Sequence, residues 1–358
     1  MRWSWKIGEF AGIGVYVHAT FLLLIGWVAL VHWTAEKSLA ATIGGVAFVL
    51  ALFLCVVLHE FGHALTARRY GIRTRDIVLL PIGGVARLER MPDRPIQEFW
   101  VALAGPAVNV VIAVALLLWL IVVGGFAPLR ELGVATGPFL QRLMFLNVVL
   151  VVFNLIPAFP MDGGRVLRAV LAMNLEYTRA TQIAAKIGQG LAFVFGFIGL
   201  FTNPFLVFIA LFVWIGAAQE ASMVQMKSAL GGIPVQRVMQ TDYRTLEPGD
   251  VLSRAVELTL AGSQKDFPVI EGERVVGVLT QADLVRGLER HGREATVSAA
   301  MQHDFEAADL SEMIEPVFQR LQRCQCHTIP VTLNGRLVGI VTMENVGEFV
   351  RFQSALAR

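Results

Sequence analysis

Six apolar runs, near residues 12–34, 42–67, 96–124, 138–158, 181–201 and 203–222, approach or exceed the roughly 20 residues needed to cross a bilayer. Nothing else in the chain restricts its fold as strongly, because a segment in lipid must satisfy its own backbone and therefore spans as a helix or as part of a closed barrel. The expected architecture is a multi-pass α-helical membrane domain of about six transmembrane helices. The composition agrees. Of 358 residues, 55% are hydrophobic and 16% charged, with mean hydropathy +0.61, which excludes an ordinary soluble enzyme. The first run lacks a small-residue cleavage site and reads as a retained helix.

Charge divides the chain. Residues 1–230 hold 11 acids and 17 bases, whereas residues 231–358 hold 17 acids and 13 bases. A water-soluble tail of net charge about −4 offers no basic stripe for phosphates, so no nucleic-acid partner is expected. Three cysteines, Cys55, Cys324 and Cys326, provide no disulfide framework. Basic residues cluster at Arg2 and Lys6, at Arg68, Arg69, Arg73, Arg75, Arg87, Arg90 and Arg94, and at Arg165, Arg168 and Arg179, against Lys37, Arg130 and Arg142 on the other side. By the positive-inside rule both termini and the tail face the cytoplasm of a cell membrane. Between the second and third runs, Ile77–Leu88 (IVLLPIGGVARL) is apolar but too short to span. It reads either as a segment dipping into the membrane beside a cavity or as an interfacial loop.

Near the cytoplasmic end of the second run lies His59-Glu60-Phe61-Gly62-His63, an HExxH motif. On a helix, positions i and i+4 share one face, so two imidazoles can hold one Zn²⁺ while the carboxylate between them reaches its water as general base. His59 and His63 precede Arg68 by nine and five residues, which sets them roughly 8–14 Å below the surface at 1.5 Å per residue. Ionisable groups at that depth are costly and mark function. A catalytic zinc requires a third protein ligand, and Asp162 in FNLIPAFPMDGGR is the best candidate. Pro157 and Pro160 must break the helix there, and Gly163 and Gly164 permit close approach. The alternative for Asp162 is a helix cap. Glu98 and Glu220 fit interfacial positions. His18 reads either as a packed or interfacial histidine or as a group that supports or gates the site, and His32 reads as interfacial.

The HEFGH helix, the PIGG segment, the Gly105-Pro106-Ala107-Val108-Asn109 run and the NLIPAFPMDGGR stretch resemble the site-2 protease family of intramembrane zinc metalloproteases, over residues 10 to 222. The resemblance implies His59, His63 and Asp162 as ligands of one Zn²⁺, Glu60 as general base and acid, and Asn154 as a group polarising the scissile carbonyl. A buried Asn154 could equally satisfy backbone groups freed by the prolines. The resemblance also implies that the PIGG loop presents an edge to an extended substrate segment, with Gly83 and Gly84 letting its backbone come close.

Residues 233–358 align with themselves at an offset of 62, matching Val238-Met239-Gln240 to Ala300-Met301-Gln302, Phe267-Pro268-Val269 to Ile329-Pro330-Val331, and GVLTQADL to GIVTMENV. Each copy reads as a start strand, an apolar helix, a strand pair and a closing helix, and two such units bury a shared core. The pattern resembles an α+β tandem CBS-domain pair, which implies adenine nucleotide binding, ATP or AMP, and dimerisation. The ribose-contacting T-x-x-D pattern lands on Thr280 and Asp283, then on Thr342 and Asn345. The same residues could instead cap helices. Cys324-Gln325-Cys326-His327 has no second ligand pair nearby and reads as no metal site.

The expected division is residues 1–230, an intramembrane protease domain, residues 231–292, the first CBS domain, and residues 293–358, the second. The expected activity is zinc-dependent cleavage of a membrane-spanning or membrane-tethered protein near its cytoplasmic side, as in regulated intramembrane proteolysis. The implied partners are the lipid bilayer and a substrate such as an anti-sigma factor or a membrane-tethered transcription regulator. The alternative is a CBS-regulated transporter or channel without proteolytic activity, which gives no reason for HExxH with Asp162.

Overall fold

The computed structural model describes residues 3–90, 92, 94–124, 137–324 and 326–356, in two compact units, Met1–Ser222 and Met223–Arg358. Arg130 lies outside the described residues.

The first unit begins with strands β1 (Ser4–Phe10) and β2 (Ile13–His18), followed by helices α1 (Ala19–Glu36) and α2 (Leu39–Arg69). Strands β3 (Thr74–Leu80) and β4 (Gly83–Leu88) precede α3 (Pro95–Val123), α4 (Phe139–Asn154), α5 (Asp162–Ala172), α6 (Tyr177–Thr202) and α7 (Pro204–Leu230). Five helices, α1, α2, α3, α6 and α7, are long and apolar enough to cross a membrane, and α4 is a shorter apolar helix of 16 residues. The fourth expected span is thus curtailed. Pro157 and Pro160 cannot donate to a helical ladder, and the run ends at Asn154 instead of near residue 158.

Two further expectations are corrected. The start of the first apolar run is strand, not helix, and His18 caps α1, its Nδ1 accepting from the Thr20 backbone at 3.3 Å. Ile77–Leu88, expected either to dip into the membrane or to form an interfacial loop, is regular β-structure. It forms most of a β-hairpin in a four-stranded sheet ordered β1-β2-β3-β4. The β2–β3 pair is parallel and needs the long α1–α2 crossover to form. Ile13 and Ile77 bury the sheet against Phe61 and Ala64 of α2, which brings β4 to the HExxH end of that helix.

Arg168, expected in a cytoplasmic loop, is fully buried. Its Nε and Nη2 donate to Glu98 Oε1 at 2.8 and 2.5 Å, and its Nη1 donates to Glu220 Oε1 at 2.6 Å. Glu98 is likewise only 3% exposed, so this carboxylate is an internal partner and not an interfacial one. The guanidinium ties α5 to α3 and α7. Arg168→Met should lower stability by about 3–5 kcal/mol, because it strands a buried Glu98 charge without its partner. Unfolding in mixed micelles measures this, and Arg168→Lys should fail to restore it, since an ammonium cannot fork to two carboxylates.

The second unit contains α8 (Leu252–Ala261), β5 (Phe267–Glu271), β6 (Arg274–Leu279), α9 (Gln281–His291), β7 (Ala308–Asp309), α10 (Ile314–Arg323), β8 (Thr328–Leu333), β9 (Arg336–Thr342) and α11 (Met343–Leu356). Its sheet order is β5-β6-β9-β8-β7. The start strand expected in the first copy is reduced to a single bridge, Leu246 with Val269. The two copies exchange their lead-in segments. Val235 and Val238 pack in the core around Ile314, Ile329 and Val341, whereas Val297 packs with Leu252, Phe267 and Leu279. Met239 and Met301 complete the exchange over Gly339 and Gly277, where a Cβ would come within 2.7 and 2.8 Å of the sulfurs. Cys324 and Cys326 form a disulfide that the cysteine count does not anticipate. Being two residues apart, they link no separate elements and so supply no framework.

Candidate metal centre

α2 presents His59 and His63 on one face, one turn apart, both buried inside a bundle made with α3 and α5. The packing is close because the contact residues are small. A Cβ on Gly62 would fall 2.6 Å from the Ala104 carbonyl, and one on Gly105 would fall 2.2 Å from His63 Nε2 and 2.6 Å from His59 Nε2. Glycine at 105 therefore gives the two imidazoles their space.

Asp162 arrives from the opposite direction. It is the first residue of α5, and the N-cap is Met161, so its carboxylate is free of the capping role that the sequence left open. The chain before it doubles back tightly. A Cβ at Gly163 would sit 2.3 Å from the Ile156 carbonyl, and one at Gly164 would sit 2.6 Å from the Phe159 amide. The helix N-terminus favours the anion held there.

His59 Nε2 and His63 Nε2 lie 3.1 Å apart, and each lies 3.2 Å from Asp162 Oδ2. This nearly equilateral triangle has the size of one face of a tetrahedron around an ion with bonds of 2.0–2.1 Å, whose edge is about 3.3 Å. The outer nitrogens are also engaged. His63 Nδ1 donates to the Val101 carbonyl at 2.7 Å, which leaves its Nε2 as a lone pair facing the centre, and His59 Nδ1 meets Asn109 Oδ1 at 2.5 Å. The donor set fits a divalent cation of zinc type, and His59, His63 and Asp162 form the metal-capable group among the described residues.

Glu60, between the two histidines on α2, reaches the sheet, its Oε2 accepting from the Ala86 amide of β4 at 3.2 Å. A Cβ on Gly84 would press within 2.8 Å of Glu60 Cγ, so glycine there admits the carboxylate. β4 is an edge strand, opened by Gly83 at φ +140°, a conformation that favours glycine. Asn154 is the half-buried last residue of α4 and makes no side-chain hydrogen bond among the described residues, so it is not employed on backbone groups freed by the prolines. Asn109 and Asn147, both fully buried, were not assigned roles by sequence reasoning. The available signal was an amide inside an otherwise apolar span.

In the second unit, Thr280 and Thr342 sit at the starts of their closing helices. Thr280 Oγ1 donates to Asp283 Oδ2 and Thr342 Oγ1 to Asn345 Oδ1, both at 2.5 Å. Asp283 also accepts from Gln302 at 2.6 Å and pairs with Arg286. Thr342 and Asn345 line a cleft of about 220 Å³ with Gln240, Lys265 and His327. Thr280 lines a second cleft with Asp266 and Arg286, and His327 borders both.

An HExxH helix whose histidines meet a carboxylate from a second helix, inside a bundle of membrane-crossing helices, is the arrangement of a membrane metallopeptidase. The model of peptidase family M50 matches residues 47–195, and the CBS-domain model matches residues 235–290 and 297–350. A zinc metalloprotease of Methanocaldococcus jannaschii is 32% identical over 97% of this chain and 96% of its own. A putative zinc metalloprotease of Synechocystis is 28% identical over 95% and 94%. The solved site-2 protease of Methanocaldococcus jannaschii shares 39% identity over 61% of this chain and 95% of that one, at TM-score 0.45. The chain belongs to the M50, or site-2 protease, family of zinc metalloproteases and carries a CBS pair behind its membrane domain.

Proposed function

We propose that the protein is an intramembrane zinc endopeptidase in which His59, His63 and Asp162 hold the metal and Glu60 handles the proton. The observation that carries this reading is the triangle of three ligand atoms 3.1–3.2 Å apart. Zinc bound there would acidify a water and stabilise negative charge on the scissile carbonyl. Glu60 takes the proton of the attacking water and returns it to the leaving amine. Asn154 polarises the carbonyl. The edge of β4 pairs with an unwound substrate segment, with Gly83 and Gly84 admitting its backbone; a substrate helix must unwind first because its own hydrogen bonds cover the scissile bond.

The substrate on this reading is a membrane-spanning or membrane-tethered protein cut near its cytoplasmic side, such as an anti-sigma factor or a tethered transcription regulator. The loop charges support cytoplasmic termini in a cell membrane. Residues 1–230 act as the protease, and residues 231–292 and 293–358 as a regulatory pair that binds AMP or ATP and dimerises. The cleft holding Thr342 and Asn345 supports the nucleotide reading. AMP or ATP titrated onto the full chain should bind there, and Thr342→Ala should weaken binding about 10-fold by removing one hydroxyl contact; unaltered binding assigns the nucleotide elsewhere.

The deciding experiment uses purified protein in liposomes with a single-span segment bearing Gly or Pro near its cytoplasmic end. One zinc per chain is expected, with cleavage lost on chelation and restored by zinc. Zinc-free protein, or cleavage indifferent to chelation, overturns the proposal.

A further inference from the structure

The apolar bundle contains a chain of amides that ends on a zinc-ligand candidate. Asn147 of α4 donates through Nδ2 to the Leu143 carbonyl at 2.8 Å, with Cys55 Sγ at 3.5 Å. Its Oδ1 accepts from Asn109 Nδ2 of α3 at 2.8 Å, and Asn109 Oδ1 faces His59 Nδ1 at 2.5 Å. Both asparagines are wholly buried.

The direction of every hydrogen in this chain follows from its far end. A backbone carbonyl only accepts, so the Asn147 amide must turn its NH₂ toward Leu143 and its oxygen toward Asn109. Asn109 must then answer with its own NH₂, which turns its oxygen to His59. That oxygen only accepts, so the hydrogen of His59 is placed on Nδ1 and its lone pair on Nε2. With either amide reversed, two like groups would face each other in a dry interior, at a cost of about 1–3 kcal/mol per unsatisfied group.

We infer that Asn147 and Asn109 form a relay of positioning residues that makes His59 a ligand by fixing its tautomer from the Leu143 carbonyl. The inference rests on the proposed metal site. Asn147 touches neither the histidines nor Asp162 through any described hydrogen bond, yet the relay makes metal binding depend on it.

The test measures Zn²⁺ affinity by chelator competition on full-length wild type, Asn109→Leu, Asn147→Leu and Asn147→Asp, with unfolding of the zinc-free proteins alongside. Leu at either position should weaken zinc binding about 10–100-fold, the usual effect of losing a group that orients a ligand. Asn147→Asp should stay within a few-fold of wild type. A buried carboxyl stays protonated, so it donates to Leu143 and accepts from Asn109 as the amide does. Equal zinc affinity in wild type and Asn147→Leu overturns the relay while leaving the metal site standing, whereas wild type without zinc removes the site itself. A merely structural Asn147 would lose stability and zinc affinity together in Asn147→Asp as well as in Asn147→Leu. Should the leucine variants not fold, ¹⁵N-histidine NMR of the zinc-free wild type decides. Hydrogen on His59 Nδ1 supports the relay, and a bare Nδ1 with the hydrogen on Nε2 alone refutes it.

Discussion

Glu60→Gln should retain zinc and fold normally while cleaving its substrate about 10²–10⁴-fold more slowly, the range that a positioned proton acceptor contributes. The two outcomes separate because the side chain has two tasks. Its oxygen accepts from the Ala86 amide at 3.2 Å, and a glutamine oxygen can do the same, so the contact between α2 and β4 survives. The amide cannot take a proton from the attacking water. His59, His63 and Asp162 are untouched, so zinc content should match that of the wild type. Single-turnover cleavage in liposomes with metal analysis of the same sample checks both points, and unaltered cleavage would remove Glu60 from the chemistry.

Gly105→Ala should strike both candidate histidine ligands with a single added methyl group. Its Cβ would fall 2.2 Å from His63 Nε2 and 2.6 Å from His59 Nε2, distances at which α3 must retreat or the imidazoles must leave the triangle. Overpacking of this kind costs about 1–3 kcal/mol. The effect on zinc should be larger. Displacing a ligand outright should weaken binding by more than the roughly 100-fold upper range for disturbing a group behind one. Gly190→Ala on α6 is the control, since nothing lies within 4 Å of its added carbon, and it should be neutral or stabilising by up to about 1 kcal/mol. If Gly105→Ala binds zinc normally, the α2–α3 contact is looser than the geometry requires.

Asp162 and the two histidines were legible for different reasons. The histidines are one turn apart on a single helix, so their meeting requires only local geometry. Asp162 was found because an acid amid apolar sequence followed two prolines that forbid a helix. The burial of Arg168 is not legible in the sequence, because the positive-inside rule counts charge without knowing its partners. Glu98 and Glu220 lie 70 and 52 positions away from it in the chain. The resemblance implies an edge at the PIGG segment, but the sheet that forms this edge is not legible in the sequence, for a related reason. Ile77–Leu88 becomes strand through β2, whose residues lie some 60 positions upstream across two long helices, and no periodicity within the segment reports that pairing.

By itself, the sequence determined a membrane-crossing helical domain with HExxH on its second long helix, an acid at a broken helix, and a charged tail built of two copies. These follow from hydropathy, turn spacing and repetition, all short-range or self-referential properties. The tertiary structure alone decided that Asp162 closes on the histidines at 3.2 Å, that Glu60 rests on an edge strand, and that two buried amides stand behind His59. Each depends on side chains from different helices sharing a dry interior, where a polar group must find a partner however distant in sequence, and only the packing of the bundle specifies which one it meets.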